Sequence, residues 1–394
     1  MRVVLTSFGS AGDTQPFIAL ARRLQLSGHE PVLALSPNFK SRADANNIKF
    51  AGIGPELKPS DIKGMITSQM TFSDPISQAL HFVNTIVPAV PSIFGDLLEV
   101  CREADVIVSS PHQITGRMVH EKLNIPYATV HLSQFGGAGS KHLREASAPI
   151  LNRCREREGL PPLHDPLTAD AVSAQLALYA VSKCIVRQKA NAPTQHVTGF
   201  FYLEEKDWRP DPALAEFVSG DAACVVVTFG SVVHGDPEKV TDIVVEALNA
   251  VGCRGVIQRG WSGLARRDLP AHLLAVDFVP HDWLFKRASC VVHHGGAGTT
   301  AAALRAGVPS VIVPHTLDQP IWAEFARALG CAGGVIPFNR LTAENLAAAI
   351  SATLNNPAHR QAAQKTSAFI GNEDGVQTAC GLIEEMVRRQ RPLN

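Results

Sequence analysis

The chain has 394 residues, which is enough for two ordinary domains that each bury a core of their own. Hydrophobic residues make up 45% and charged residues 18% of the sequence, a composition typical of a folded α/β protein and not of a disordered one. Lysine plus arginine equals aspartate plus glutamate, at 36 each. Overall charge therefore gives no reason to expect a nucleic-acid partner or an anionic membrane surface.

The cysteine pattern and the apolar runs bear on the compartment. The eight cysteines are scattered, with no pair at the spacing of a zinc or redox motif. The N-terminal apolar run is too short for a signal peptide, and no apolar stretch approaches the roughly 20 residues that span a bilayer. We therefore expect a cytoplasmic protein with reduced cysteines and no transmembrane segment.

The first forty residues predict a βαβ unit. Val3 to Thr6 is a β-branched run typical of a strand, and residues 8–14 form a glycine-rich loop. Apolar residues then recur at helical spacing at Phe17, Leu20, Ala21 and Leu24. Pro16 suits the first turn of that helix and Gly28 the position just past its end. A strand resumes over Pro31 to Leu35, which implies a parallel sheet.

Residues 60–100 show weak periodicity. The large apolar side chains of this stretch line an adaptable cavity or belong to the core of irregular helices, and the sequence leaves both open. They are Met65, Met70, Phe72, Phe82 and Ile86.

The second half again alternates short apolar runs with turns and helical patterns. Such runs predict strands that are buried on both faces. They are Cys224–Thr228, Gly255–Gln258, Val276–Val279, Cys290–His293 and Ser310–Val313. The domains are predicted as residues 1–205, a proline-broken linker at 206–219, residues 220–375, and an amphipathic terminal helix within 376–394.

The strongest chemical signal is the run from Val291 to Thr300, in which a strand, two histidines and a glycine-rich turn open a helix. Small residues let the backbone approach a ligand closely. The first amides of a helix and its dipole form an anion site, to which His293 can donate a hydrogen bond. The alternative is a tight structural turn with two satisfied histidines.

A second polar pair, Asp318-Gln319, follows the next strand at its carboxyl end, where open α/β sheets bind ligands. Its donors and acceptors suit a polyhydroxylated ring. The alternative is a helix N-cap.

Together these motifs resemble the donor-binding signature of family 1 glycosyltransferases with the GT-B fold. The residues that carry the resemblance are His293-His-Gly-Gly-Ala-Gly-Thr-Thr300, Ala306-Gly-Val-Pro309, Asp318-Gln-Pro320, Gly9-Ser-Ala-Gly-Asp-Thr-Gln-Pro16 and Val227-Thr-Phe-Gly-Ser231. The similarity is greatest to bacterial natural-product and sterol-type enzymes. It implies an α/β fold of two Rossmann-like domains, with parallel sheets facing across an interdomain cleft and the terminal helix crossing back to the N-terminal domain.

The resemblance also implies a donor site. Its residues are Ser10, Gly230, Ser231, Trp261, Phe278, Val279, His293, Gly295, Gly296, Ala297, Gly298, Thr299, Asp318 and Gln319. The glycine turn, His293 and the two serines would hold the diphosphate. Trp261, Phe278 and the Val279 backbone would lie near the base. Asp318 and Gln319 would hold the sugar hydroxyls.

Two positions depart from the plant members of this family. Ala301 stands where they carry a glutamate for the ribose, so UDP and dTDP donors both stay open. Asp13 lies in the first loop, where they use a histidine as base. We expect Asp13 to be the general base, with a desolvated cleft raising its pKa. The alternative is that Asp13 only caps a helix.

The predicted activity is inverting transfer of a hexose from UDP-glucose or a dTDP-sugar to a hydroxyl of a small apolar acceptor, such as a sterol or a polyketide. No Asp-x-Asp arrangement is found, so we expect no metal and no cofactor besides the nucleotide sugar. The alternatives are a nucleotide-sugar epimerase or hydrolase, and a rhamnosyltransferase acting on a lipid hydroxy acid. A nicotinamide-dependent oxidoreductase is disfavoured because the first loop lacks the full Gly-x-Gly-x-x-Gly run.

Overall fold

A computed structural model describes residues 1–58, 64, 74–133, 141–186, 193–205, 208–220, 222–230, 232, 235–260, 263–265, 268–316 and 318–390. The chain forms two compact units. One comprises Met1–Leu203 with Glu373–Asn394, and the other comprises Glu204–Asn372.

The first unit is built on a seven-stranded parallel sheet in the order β3-β2-β1-β4-β5-β6-β7. Its strands are β1 (Arg2–Thr6), β2 (Glu30–Leu35), β3 (Lys49–Gly52), β4 (Val106–Ser109), β5 (Tyr127–His131), β6 (Leu176–Tyr179) and β7 (Gln195–Val197). The helices that precede the second unit are α1 (Ala11–Leu26), α2 (Lys40–Ala45), α3 (Pro75–Ile86), α4 (Val90–Cys101), α5 (Ile114–Leu123) and α6 (Lys141–Arg157).

The second unit has a six-stranded parallel sheet in the order β10-β9-β8-β11-β12-β13. Its strands are β8 (Cys224–Thr228), β9 (Arg254–Gln258), β10 (Leu273–Val276), β11 (Cys290–His293), β12 (Ser310–Ile312) and β13 (Ala332–Val335). Its helices are α7 (Pro212–Val218), α8 (Pro237–Val251), α9 (His281–Leu284), α10 (Ala297–Ala306), α11 (Gln319–Ala328), α12 (Ala343–Asn355) and α13 (Pro357–Ile370). The two parallel α/β halves predicted from the sequence are confirmed.

Both faces of the first sheet are covered, which explains why its strands are continuous apolar runs. The last helix, α14 (Gly375–Gln390), packs beside α1. Phe17 and Ile383 from these helices share one core with β1. Val83 and Leu97, from α3 and α4, lie in a second core that also contains Val4 of β1.

Helix α1 begins earlier than predicted. The sequence placed its first turn at Pro16, but the helix starts at Ala11 and contains Pro16 in its interior. The cause is a capping box, in which the Ser10 hydroxyl accepts from the amide of Gly12 at 3.2 Å and the Asp13 carboxylate accepts from the amide of Ser10 at 2.7 Å. This reciprocal pair satisfies two amides that would otherwise lack partners.

Two further predictions differ from the structure. A strand was predicted at Val276–Val279, but β10 spans Leu273–Val276 and ends where the prediction begins. Val276 pairs with Gln258, and β9 ends at that residue, so the pairing stops there. The predicted linker at 206–219 contains α7, which begins where the Asp211 carboxylate accepts from the amide of Ala213 at 2.8 Å. Buried Leu214 joins α7 to the core of the second unit.

The helical stretch Ile76–Cys101, with a mean hydropathy of 1.2, is long and apolar enough to cross a membrane by length and composition. The sequence analysis did not foresee this. The stretch is divided into α3 and α4 by a 3₁₀ turn at Val87–Ala89, and it contributes Ile86 to the second core of the first unit. Phe82 is half-buried against that core, whereas Met65, Met70 and Phe72 lie outside the described residues.

Candidate functional site

The strand order determines where a ligand site forms in the second unit. From β8 the chain proceeds to β9 on one side, and β11 lies on the other side. Loops that leave neighbouring parallel strands in opposite directions open a crevice at the carboxyl edge of the sheet. The loops after β8 and β11 carry the predicted Gly230 and the His-His-Gly-Gly turn.

Three glycines of this region make room for protein atoms. A Cβ on Gly230, whose φ is +58°, would lie 2.8 Å from the ring of His294, and a Cβ on Gly296 would overlap that same ring. At Gly295, φ is +86° and a Cβ would lie 3.0 Å from the carbonyl oxygen of Gln319. The sequence analysis explained the small residues of this turn by close approach of a ligand. The structure shows that the His294 ring and the first residue of α11, Gln319, already occupy this space.

Gly298 is different from these three. No described atom lies within 4 Å of the position its Cβ would take, and the residue is exposed in the first turn of α10. Among the glycines of the turn, it is the position at which a ligand can come close to the backbone.

His293 is held as a neutral donor. Its side chain is fully buried, and its Nδ1 accepts from the amide of Gly295 at 3.1 Å. The proton of the neutral ring is therefore on Nε2, which is buried and has no partner among the described residues. Burial, followed by the neighbouring His294, holds the pKa of His293 well below its usual value.

Other buried polar atoms at this edge lack partners in the described part of the chain. They are Oε1 of Gln258, Oγ1 of Thr300 and Oγ1 of Thr316. Gln258 is the last residue of β9, Thr300 lies in the helix after β11, and Thr316 follows β12. Each such atom costs about 1–3 kcal/mol, so native proteins keep few of them. Their concentration at one edge of one sheet indicates a site for a polar ligand. None of these three residues is among the donor-site residues predicted from the sequence, although Thr300 ends the motif that carries the resemblance.

Side-chain capping differs among the helices of the second unit. Side chains of Asp236, Thr342 and Asn356 cap α8, α12 and α13. In the described residues, α10 and α11 receive no side-chain cap. The capped helices α8 and α12 also follow strands at this edge, but the N-cap residue of α10 is Gly296, which has no side chain to offer. The first amides and the positive dipole end of α10 therefore stay available to an anion. At α11 the amides of Gln319 and Ile321 already donate to carbonyls, and Pro320 has no N–H.

Asp318 and Gln319 hold the loop that follows β12. Oε1 of Gln319 accepts from the amides of His315 at 2.8 Å and Thr316 at 3.2 Å. Asp318 occupies the N-cap position of α11, but its carboxylate accepts from Nε1 of the buried Trp322 at 2.8 Å. Asp318 therefore stands at the N-cap position, as the alternative predicted, but its carboxylate accepts no hydrogen bond from the first amides of α11. A role for the pair in sugar binding stays a prediction.

The loops after β9 and β10 are tied together. The amide of the Gln258 side chain donates to the carbonyl of Val279 at 3.0 Å, and Arg259 contacts Asp277 at 3.2 Å. Phe278, between them, exposes 59% of its surface. An exposed aromatic ring beside a fixed backbone suits stacking on a nucleotide base. Ser231 and Trp261, predicted for the same site, lie outside the described residues.

In the first unit, Asp13 lies in the loop after β1. Its Oδ2 accepts from the Ser10 amide at 2.7 Å and from the Ser10 hydroxyl at 3.0 Å. The carboxylate covers Gly9, where φ is +137° and any Cβ would overlap it. Asp13 therefore caps a helix, as the alternative predicted, but this helix begins at Ala11 and not near Pro16. Oδ1 has no partner among the described residues, so the cap leaves one carboxylate oxygen for chemistry, and the catalytic role stays a prediction.

Aromatic residues and histidines lie near the same sheet edge. Phe82 contacts the rings of Phe8, at 5.7 Å between centroids, and of exposed His112, at 5.9 Å. His131 ends β5 and stacks on Tyr179 at 4.7 Å. His120 has a structural role instead, since its Nδ1 lies 2.6 Å from the carbonyl oxygen of Ile125.

Comparison with known proteins places the chain in a family. Residues 3–135 match the glycosyltransferase family 28 N-terminal domain, and residues 248–373 match the erythromycin biosynthesis protein CIII-like C-terminal domain. O-mycaminosyltylonolide 6-deoxyallosyltransferase of Streptomyces fradiae is 30% identical over 98% of this chain and 97% of its own length. The chain belongs to the family 1 glycosyltransferases.

The chain is also similar to a sterol 3-beta-glucosyltransferase of Arabidopsis thaliana, with 30% identity over 95% of the chain. The chain spans 64% of the length of that plant relative. The crystal structure of glycosyltransferase VinC in complex with dTDP has a TM-score of 0.75 at 19% identity, over 99% of this chain and 100% of its own. That likeness confirms the GT-B fold predicted from the sequence.

The first prediction concerns the glycine turn. Replacing Gly295 with alanine puts a side chain into a left-handed conformation against the Gln319 carbonyl, and we expect a loss of about 1–3 kcal/mol in the free energy of unfolding. Gly298→Ala is the matched control, because the position is open and helical, and we expect no loss. Urea denaturation of both variants checks this, and equal stability would contradict the assigned packing.

The second prediction is a pH dependence that arises from His131, which is 4% exposed. Burial, followed by His112, lowers the pKa of His131 from 6.5 to about 3. Between these values only the unfolded chain binds the proton, so stability present above pH 6.5 is lost as the pH falls toward 3. Urea denaturation from pH 7 to pH 4.5 should show a slope that is smaller in His131→Gln by up to about 1.4 kcal/mol per pH unit. Identical slopes would show that His131 is already charged in the folded state.

Proposed function

We propose that this protein transfers a hexose from a nucleotide diphosphate sugar to a hydroxyl of a small apolar acceptor, with inversion at the anomeric carbon. The observation that carries the proposal is helix α10, which the described residues leave without a side-chain cap at one sheet edge. The neutral, buried donor His293 ends the strand before it. This arrangement suits a diphosphate, whose charge increases as it leaves.

The donor in this proposal is UDP-glucose or a dTDP-sugar. The first amides of α10 bind the diphosphate near Gly298, with Nε2 of His293 as a further donor. Phe278 stacks on the base, and the Val279 amide pairs with its edge, since the Val279 carbonyl is already engaged. Asp318 and Gln319 contact the sugar hydroxyls. The dTDP complex of VinC and the glucosyltransferase name of the plant relative support both donor types.

The base in this proposal is Asp13. Its Oδ2 is fixed by Ser10, and Oδ1 takes the proton of the acceptor hydroxyl as the oxygen attacks the anomeric carbon. The bond between that carbon and the diphosphate breaks in the same step, and the nucleotide diphosphate leaves. The first turn of α10 and the neutral imidazole of His293 stabilise the charge of the leaving diphosphate, so we propose that the step requires neither metal nor cofactor.

The acceptor in this proposal is an apolar natural product of the sterol or polyketide class. Support comes from the aromatic contacts of Phe8, Phe82 and His112 at the edge that carries Asp13. The names of the plant and Streptomyces relatives point to the same two classes. All eight cysteines are free, which agrees with action in a reducing cytoplasm.

The third prediction tests the donor site by calorimetric titration with UDP, dTDP, UDP-glucose, dTDP-glucose and NAD in the presence of EDTA. We expect micromolar binding of UDP or dTDP compounds. Gly298→Ala should weaken this binding at least tenfold, because its methyl group occupies the open position in the first turn of α10. Its melting temperature should not change. Binding of NAD alone, or full nucleotide affinity in Gly298→Ala, would contradict the assigned site.

The fourth prediction tests the base. Asp13→Asn keeps an oxygen that can accept from Ser10 but removes the proton acceptor, so we expect the transfer rate to fall about 10²–10⁴-fold with unchanged nucleotide affinity. Asp211→Asn is the matched control, since Asp211 also caps a helix but belongs to α7. We expect it to retain full activity. Initial rates with a sterol and a polyketide acceptor measure both variants, and near-normal transfer by Asp13→Asn would leave Asp13 only as a cap.

A further inference from the structure

Three metal-ligating side chains converge at the amino edge of the first sheet, next to the start of β2. They are His29, Cys380 and Glu384, and their ligand atoms all lie within 4.8 Å of one another. We propose that these residues form a binding site for a divalent metal ion of the zinc class, which fastens α14 to the turn between α1 and β2.

The distances agree with such a site. Nε2 of His29 lies 2.8 Å from Oε1 of Glu384, and Sγ of Cys380 lies 3.6 Å from the same oxygen. Around tetrahedral zinc, with metal–ligand bonds of about 2.0–2.3 Å, ligand atoms are about 3.3–3.6 Å apart. Binding therefore requires the ring of His29 and the carboxylate of Glu384 to move apart by about 0.5 Å, while the sulfur–oxygen distance already fits. The Ser27 hydroxyl, 3.6 Å from the Cys380 sulfur, or a water provides the fourth ligand.

The three ligands are held in place before any ion binds. The amide of His29 donates to the carbonyl of Leu24 at 3.0 Å, which fixes the turn after α1. Cys380 and Glu384 are four residues apart in α14 and so lie on one face of it. Neighbouring Ile383 is fully buried in the core shared with α1. A preorganised set of ligands loses little conformational freedom on binding.

The chemistry also favours zinc over calcium or magnesium. A thiolate and an imidazole are soft or intermediate ligands, which zinc accepts and the hard cations do not. On binding, the Cys380 thiol releases its proton to solvent, and the thiolate and the Glu384 carboxylate together balance the charge of the ion. Burial raises the pKa of the Cys380 thiol, so the ion has to displace its proton, whereas the hydrogen bond with His29 lowers the pKa of Glu384.

The simplest competing explanation is an ion pair between His29 and Glu384, with exposed side-chain fractions of 14% and 32%. An ion pair needs no thiol, whereas Cys380 is 1% exposed and directs its sulfur at the same carboxylate. The site is at the amino edge of the sheet, opposite the edge that carries Asp13. The ion therefore stabilises the first unit and takes no part in sugar transfer.

The test is titration of the metal-free protein with Co²⁺, followed by displacement with Zn²⁺. We expect one equivalent of Co²⁺ to produce a thiolate-to-cobalt charge-transfer band with the visible bands of tetrahedral cobalt. Both should disappear on addition of Zn²⁺. Cys380→Ala should abolish the charge-transfer band. Cys184→Ala is the matched control, because Cys184 is the one half-buried cysteine among seven buried ones and lies outside the proposed site, so its loss should change nothing.

Glu384→Gln provides a second variant that keeps the size and a hydrogen bond to His29. Loss of even an outer-shell partner weakens metal binding by about 10–100-fold, so loss of this ligand should weaken Zn²⁺ binding at least that much. Zinc should also raise the melting temperature of the wild type and not that of Cys380→Ala. A band that survives in Cys380→Ala, a band lost only in Cys184→Ala, or no thiolate band at all would overturn the proposal. None of these results depends on nucleotide binding or transfer activity.

Discussion

The parallel direction of the strands is the constraint on which the site depends. In each sheet every described strand pair is parallel, so all carboxyl ends lie at one edge and all amino ends at the other. Each sheet also reverses its strand order at its first strand, with β4 beside β1 and β11 beside β8. Loops leave the reversal point in opposite directions and open a crevice. The Asp13 loop and the His-His-Gly-Gly turn both follow a strand at such a point, in different units.

The carboxyl edge of the second sheet gives up stability that a purely structural turn would keep. Buried atoms of Gln258, His293 and Thr300 lack partners among the described residues, and α10 begins without a side-chain cap. Elsewhere in the same unit, Asp236 and Thr342 provide the caps that α8 and α12 need. A local cost of this kind is typical of a functional site, where a ligand supplies the missing partners.

The amino edges have a different role, because no reaction chemistry is directed there. At the first sheet this edge joins the turn before β2 to the last helix of the chain, residues that are 355 positions apart at His29 and Glu384. Bringing together the ends of so long a loop costs conformational entropy on folding. Cys380 adds a metal-ligating sulfur to that contact. The proposed ion would strengthen the closure without affecting the carboxyl edge.

The sequence alone determined the class of fold and the places where its glycine turns follow strands. Continuous apolar runs such as Cys224–Thr228 indicate strands buried on both faces, and glycine turns indicate where strands end, because both depend on local stereochemistry. The start of α1 was misplaced, since Pro16 is a strong local signal and the Ser10–Asp13 box outweighs it. Only the tertiary structure decided which atoms each residue meets. Gly230 and Gly296 are needed because of the His294 ring, and His29 meets Cys380 because the chain returns to its first unit. Such contacts depend on residues far apart in sequence, and no local pattern records them.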